Sequence, residues 1–431
     1  MTQQSDSASS HLQKKTAVLI TYPDQFVINE AAGLAEAAGY TVLKTLSQRY
    51  LSRAKYGLGA GKAENLRALL DEIDASTVIF DEKLRSTQIY NLAELTKREI
   101  IDRERLILEI FSRRATTAEA KLQVELAELT YELPRAKEKV RLAKISEQPG
   151  FFGLGKYEVD IYDRAIKRRI STVKKKLRDA SKRRELYRIQ RRRLDIPVVS
   201  LAGYTGVGKT TLFNSLTGDS KEVGSSHFTT LTTSTGSVKL NGFKILLSDT
   251  VGFISRLPAY MIEAFKSTLE ELTYASLVLL LVDAAQPTED LSRRYRSCVE
   301  VLTELSVSPA RVFIVFNKAD LVDETQRKLR MPVLGASQQN SAFISAKTGL
   351  GVDALLEKIW GSIFETVEAE VSLKHTAVVS LSNRIDWLKD HGEVQIDKHS
   401  DGSLTLHVKA NAWIIDRFLK SVEEVEVKQD E

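Results

Sequence analysis

The sequence predicts a multidomain α/β protein, and three observations carry that prediction. Its 431 residues exceed what one hydrophobic core usually supports. Short β-branched runs alternate with helical patterns over residues 15–110 and again over 195–368, as in sheets covered by helices. Residues 111–194, between these zones, hold long helical patterns and no strand signal. Hydrophobic residues make up 43% of the chain and charged residues 28%, a balance that excludes a wholly disordered protein.

Residues 1–14 are polar and lack the apolar segment of a signal peptide, so they read as a disordered lead-in. "TAVLITY", "TVLKTL", "STVIFD" and "REIIDR" then read as strands of a parallel α/β domain over 15–110. Within it, "GLGAGKAENL" (57–66) imitates a phosphate loop but is one residue short of G-x4-G-K-[ST], and Ala63 offers no hydroxyl. It is expected to be a glycine-rich turn into a helix.

A helical hairpin follows over 111–194, with its break at residues 146–160 and with Pro134 expected to bend or interrupt the first helix. From Arg164 to Arg193, fifteen of thirty residues are Lys or Arg, and only Asp179 and Glu185 are acidic. A solvated helix face is the ordinary reading of such a run. With almost no acidic partner at i,i+4, however, self-repulsion favours a polyanion as partner, held by salt-sensitive phosphate contacts. Tyr162 and Tyr187 are candidates for stacking on bases.

"DIPVVSLAGYTGVGKTTL" opens the second α/β unit, 195–368, which continues through "KILLSDTVGF", "LVLLLVDAA" and "RVFIVFNKAD" to a helix at "GVDALLEKIWGSIFE". A mixed sheet with helices on both faces is expected. "ASLVLLLV" (275–282) is far short of the roughly 20 apolar residues of a membrane span and reads as a buried strand, so no membrane partner is expected. Residues 369–431 read as a small C-terminal α+β module, with strands at "HTAVVSLS" and "SLTLHVKA" and helices near "RIDWLKDH" and "AWIIDRFLKSV". The lone Cys298 forms no internal disulfide, and the six histidines show no metal-ligand spacing, which fits a reducing cytoplasm.

The chemistry lies in four short motifs. Gly203, Tyr204, Thr205, Gly206, Val207, Gly208, Lys209 and Thr210 match G-x4-G-K-[ST] between a strand and a helix, with Thr211 next on that helix. Such a P-loop wraps phosphates in backbone N–H groups, Lys209 neutralising them and Thr210 offering a hydroxyl to Mg²⁺. Asn317, Lys318 and Asp320 form N-K-x-D after a strand. The Asp320 carboxylate suits the N1–H and amine of guanine, which adenine cannot match. Ser345, Ala346 and Lys347 follow where a loop closes over the base, the Ala346 N–H aimed at guanine O6. Asp249 and Gly252 form D-x-x-G, for the Mg²⁺ shell and the third phosphate respectively. Thr230 is the candidate for a second hydroxyl on Mg²⁺, with Thr229 its competitor. The expected substrate is GTP with Mg²⁺, and Lys209, Thr230 and Gly252 are the candidate catalytic set. Phe253, after the motif, cannot orient water by hydrogen bonding.

The motif order, "HFTTLTT", "DTVGFISRLPAYMIEAFKSTLEEL" (249–272) and "IDRERLILEIFSRRATTAEAKLQVELAELTYELPR" (101–135) together resemble the HflX family of ribosome-associated GTPases, relatives of the Obg group. The resemblance implies docking on the large ribosomal subunit near the peptidyl-transferase region, with ribosomal RNA as the partner of the basic arm. It further implies slow GTP hydrolysis that quickens on the ribosome, and separation of stalled or idle subunits. A monomer in solution is expected. The alternative is a GTP-gated RNA-binding or assembly factor for the large subunit, with negligible turnover. Three positions depart from the family pattern: Gly206 stands where bacterial members carry Asn, "GLGKYEVD" (153–160) replaces G-P-G-E-T-Q-L-E, and Arg256 sits one step late in G-F-I-R-x-L-P. Arg256 is therefore read as structural.

Overall fold

The structure, a computed structural model, describes residues 15–145, 154–193, 196–218, 234–240, 243–364, 366–373, 381–400 and 402–411, and isolated positions up to 422. The chain begins with β1 (Lys15–Thr21), α1 (Gln25–Ala37), β2 (Tyr40–Ser47), α2 (Ala60–Ile73), β3 (Thr77–Phe80), α3 (Ser86–Thr96) and β4 (Glu99–Asp102). These strands pair in parallel in the order β2-β1-β3-β4. β1 is covered on both faces: Ala17 and Leu19 join one core cluster, Val18 and Ile20 another, so an unbroken apolar run suits it. Asp24 caps α1 by accepting from the Phe26 N–H at 2.9 Å. Residues 57–66 form a turn into α2, whose N-cap is Gly59, as expected.

β4 runs straight into α4 (Arg103–Arg114), capped by Asp102, and then come α5 (Ala118–Ile145) and α6 (Leu154–Arg193). Pro134 does not interrupt α5. The carbonyl it deprives of a partner lies in a helix anchored from outside: Arg135 donates to Asp102 Oδ2 at 2.7 Å and to the Leu84 carbonyl at 2.9 Å. α6 also begins earlier than the expected break allows, and residues 146–153 lie outside the described ones. Glu125 pairs with Arg169 and Glu119 with Arg184, so α5 and α6 run antiparallel. Ile166, Ile170, Val173 and Leu177, three or four residues apart, form the inner face of α6.

These pairs add to the reading of the basic arm, which had almost no acidic partner at i,i+4, carboxylates that come from other helices. Sequence shows only partners within the helix, whereas α5 supplies two carboxylates and Glu263 meets Lys174 at 3.3 Å. The exposed Lys174–Glu263 pair adds little net stability. Lys175, Lys176, Arg178 and Lys182 still face solvent.

The second sheet contains β5 (Val198–Gly203), β6 (Ser234–Leu240), β7 (Phe243–Asp249), β8 (Leu277–Asp283), β9 (Val312–Asn317) and β10 (Ser341–Phe343). Its order is β10-β9-β8-β5-β7-β6, parallel except for β6 against β7. β8 is buried at every residue. Helices α7 (Lys209–Thr217), α8 (Ala259–Ala264), α9 (Lys266–Thr273), α10 (Thr288–Glu304), α11 (Glu324–Val333) and α12 (Val352–Ile363) cover it. One core cluster runs without interruption from Leu19 through Phe111, Val124 and Val173 to Phe253 and Phe265. It joins the first sheet, the hairpin and the second sheet, and Phe111 meets Phe265 edge to face at 4.7 Å.

The C-terminal part is a three-stranded antiparallel sheet, β11 (Thr366–Leu373), β12 (Glu393–Lys398) and β13 (Leu404–Asn411) in the order β11-β13-β12, with α13 (Ser382–His391). β11 and β12 went unpredicted. The strand expected at "HTAVVSLS" (375–382) lies outside the described residues except at its end, where Ser382 opens α13. Most of "AWIIDRFLKSV" is likewise outside them, though Ile414, Ile415 and Phe418 are buried. Among the described residues, no helix is long and apolar enough to cross a membrane.

Candidate functional site

β5 lies between β7 and β8, where the strand order of the second sheet reverses, so the loop after it sits in the crevice such sheets use for ligands. That loop is 203–208, and α7 begins at Lys209. Two glycines are imposed by geometry. A Cβ on Gly203 (φ 143°) would lie 2.4 Å from the Leu281 carbonyl oxygen, and one on Gly208 (φ 97°) would lie 2.4 Å from Asn317 Nδ2. Gly206 is exposed at the tip, and Thr211 is partly buried on α7.

Lys209 is buried, and its ammonium donates to the carbonyls of Gly203 at 2.9 Å and Tyr204 at 3.0 Å. Burial lowers its pKa, and the Asp249 carboxylate opposes that shift. The Thr210 hydroxyl donates to Asp249 Oδ2 at 2.9 Å, and both residues are buried. A hydroxyl beside a carboxylate is a hard oxygen set, the donor chemistry Mg²⁺ takes when phosphates supply its remaining ligands. Among the described residues, no cluster of three His, Cys, Asp or Glu is placed to hold a metal alone.

Gly252 closes over this group. A Cβ there would lie 2.8 Å from Thr205 Cγ2 and 3.1 Å from Lys209 Nζ. Phe253 bonds back to the P-loop: its N–H donates to the Gly203 carbonyl at 3.0 Å, and its carbonyl accepts from the Thr205 N–H at 2.8 Å. Its ring is 2% exposed and belongs to the shared core. Thr229 and Thr230 lie outside the described residues.

At the other end of the crevice, Asn317 joins two loops. Its Nδ2 donates to the Val207 carbonyl at 2.7 Å, and its Oδ1 accepts from the Ala346 N–H at 2.9 Å. The N–H expected to face guanine O6 is thus bonded to Asn317 in this structure. Lys318, at φ 62°, donates to Asp283 Oδ2 at 2.7 Å. Ser345 is buried and its hydroxyl accepts from the Thr348 N–H at 3.2 Å, while Asp320 and Lys347 are exposed. The folded chain therefore brings together Lys209, Thr210, Asp249 and Gly252 at one end and Asn317, Lys318 and Ala346 at the other.

Sequence reasoning missed Asp283, although its position at the end of an apolar strand was a usable signal. It also missed Glu30. The Tyr204 hydroxyl, on the second residue of the P-loop, donates to Glu30 Oε1 and accepts from the Ser255 N–H at 2.8 Å. Burial alone would raise the Glu30 carboxyl, but Arg103 and the bonds from Ser255 and Tyr204 bring it below its ordinary range. No periodicity or motif marks such a residue.

Comparison with known proteins agrees with this geometry. Three family descriptions match in order: GTP-binding GTPase N-terminal at residues 26–112, GTP-binding GTPase Middle Region at 114–191, and 50S ribosome-binding GTPase at 198–318. GTPase HflX of Methanocaldococcus jannaschii is 40% identical over 397 residues, covering 92% of this chain and 96% of that protein. GTPase HflX of Thermofilum pendens is 38% identical over 397 residues, covering 91% and 93%. Among solved structures, a GTP-binding protein from Sulfolobus solfataricus in complex with GDP is 29% identical. It covers 81% of this chain and 98% of that one, with a TM-score of 0.45. With the identity spread over nearly the whole chain and the P-loop set within it, the chain belongs to the HflX family of GTPases.

Proposed function

We propose that this GTPase binds the large ribosomal subunit through ribosomal RNA and uses its GTP-bound state to separate stalled or idle ribosomes. The observation that carries this reading is the continuous core between the α5–α6 hairpin, with its solvent-facing lysines, and Phe253 beside the P-loop. A packed core transmits displacement, because it does not deform freely. The 50S ribosome-binding GTPase description and the HflX relatives support the choice of polyanion.

In this reading the amides of 203–210 hold the phosphates, Lys209 stabilises charge on their oxygens, and Gly252 meets the third phosphate through its N–H. Thr210, Thr230 and Asp249 hold Mg²⁺, which neutralises charge on the phosphate oxygens when bound. Asp320 selects guanine, Asn317 holds the base loop to the P-loop, and Ser345, Ala346 and Lys347 close the base site. Phe253 cannot orient water by hydrogen bonding, so the isolated chain lacks one of the usual contributors to hydrolysis and the ribosome supplies it.

The test is sedimentation of ribosomes with the full chain under GTP, a non-hydrolysable analogue and GDP, across a salt series. Subunit peaks are expected to grow with GTP or the analogue and not with GDP, with binding weakening steeply as salt rises. Subunit peaks that stay flat under every nucleotide would end the splitting reading, even if the protein co-sediments.

A further inference from the structure

The first sheet also has a switch point of the kind beside which open α/β sheets bind ligands. Its order reverses between β1 and β3, so the crevice opens at Thr21–Tyr22 and Asp81–Glu82, beyond the strands' C-terminal ends. A side chain of the GTPase part fills it. Arg256 donates to Asp81 Oδ2 at 2.7 Å and to the Asp81 carbonyl at 3.2 Å, with Glu82 Oε2 at 3.5 Å. Its guanidinium lies 5.6 Å from the centre of the Tyr22 ring. Two carboxylates, a carbonyl and an aromatic face suit a planar fork of N–H donors better than a point charge.

The floor of the crevice is buried and ionic. Arg103 lies between Asp81 and Glu30, with all three side chains at most 4% exposed. It donates to Glu30 Oε2 at 3.0 Å, to Asp81 Oδ1 and to the Ser255 carbonyl at 2.8 Å. The Ser255 hydroxyl donates to Glu30 as well. Charges alternate along Glu30, Arg103, Asp81 and Arg256, so removing one member leaves its neighbours uncompensated. Arg256 holds a left-handed φ of 52°, a conformation a non-glycine residue keeps only when its surroundings enforce it.

We propose that the N-terminal sheet carries a guanidinium-binding crevice whose resident ligand is Arg256, and that its seating shifts the chain's preference from GTP toward GDP. Arg256 is four residues from Gly252, which already lies against Thr205 and Lys209. A Cβ on Gly252 would already lie 3.1 Å from Lys209 Nζ, so a third phosphate between the two is given room by outward movement of the 252–256 loop. Seated contacts at Ser255 and Arg256 oppose that movement. Arg256, which bonds Asp81 and Glu82, and those two residues are thus positioning residues acting through the loop. The inference rests on the reading that Gly252 meets the third phosphate.

The experiment uses the full chain without ribosomes and measures affinities for fluorescent GDP and a fluorescent non-hydrolysable GTP analogue. Arg256→Ala is expected to raise analogue affinity relative to GDP by about 5- to 150-fold, the usual span of coupling between sites. Arg256→Lys should fall between that variant and wild type, because it keeps the charge and loses the fork. Added ethylguanidinium should return the Arg256→Ala ratio toward wild type, and ethylammonium should not. The Arg256 side chain is 37% exposed, so the emptied crevice is open to a small solute. An unchanged ratio in Arg256→Ala, equal weakening of both nucleotides, or equal rescue by both solutes overturns the proposal. Gly252→Ala separates the two readings. Unaltered analogue affinity there removes the phosphate-sensing reading and this inference together, whereas a loss there with an unchanged Arg256→Ala ratio removes the inference alone.

Discussion

Asn317 shows how one side chain can hold two loops in register. Both its amide atoms are bonded, to the Val207 carbonyl and the Ala346 N–H, and the residue is buried. Asn317→Ala should leave both partners unsatisfied and weaken GDP binding by about 1–3 kcal/mol, roughly 5- to 150-fold. Isothermal calorimetry checks this, and affinity within twofold of wild type would contradict it. Phe253 is the opposite case, a side chain turned away from the site whose backbone is bonded to it. Phe253→Gln should lower stability by about 1–3 kcal/mol, through burial of a polar amide, without raising basal hydrolysis. Thermal melts with single-turnover assays measure both effects. A faster basal rate would mean that the side chain reaches the reacting water.

At the scale of elements, α6 divides its charge between two uses. Arg169 and Arg184 face the carboxylates of α5, whereas Lys175, Lys176 and Arg178 face solvent. Replacing those three with Glu should weaken binding to large subunits and flatten its dependence on log salt by up to about 0.7–0.9 per lost phosphate contact. Arg169→Ala should change that slope little. Filter binding at several ionic strengths separates the two, and equal slopes in both variants would remove α6 as the RNA face. The same pairing explains what was illegible here. Helical periodicity reveals the inner face of α6 but not the carboxylates facing its outer residues, because these come from another helix.

Across the whole molecule, the shared core makes the first sheet, the hairpin and the second sheet one packed body. Phe265→Ala should cost about 3–5 kcal/mol and lower exchange protection in α4 and in β8 together. Loss confined to the second sheet would show two independent units. The interface also carries an acid sensitivity. Glu30 has its folded pKa below the unfolded value, so its contribution is present above the unfolded pKa and is lost as pH falls through the folded one. Wild type should therefore lose interface stability below the ordinary carboxylate range, near pH 4, and Glu30→Gln should lose less over that window. Melting temperature against pH, compared between the two proteins, reads this directly.

The four strands of the first sheet and β5, β7, β8 and β9 of the P-loop unit were legible because apolar runs and turn residues act within a few positions of one another, whereas β6 and the three-residue β10 went unpredicted. The motifs around Gly203, Asp249, Asn317 and Ser345 were legible for the same reason, since each is a short loop whose chemistry is contiguous. β12 was not, because "EVQIDK", although it alternates, offers only Val394 and Ile396 as apolar residues, and it becomes a strand by pairing with β13. Nor was the persistence of α5 through Pro134, which depends on Arg135 reaching Asp102. The sequence by itself determined the nucleotide chemistry and the succession of two α/β units with a helical hairpin between them. Only the tertiary structure decided that Tyr204 bonds Glu30, 174 positions away, and that Arg256 enters the first sheet's crevice. The reason is physical: burial makes those polar groups pair with whatever the fold brings near, and proximity in the fold leaves no trace in local spacing.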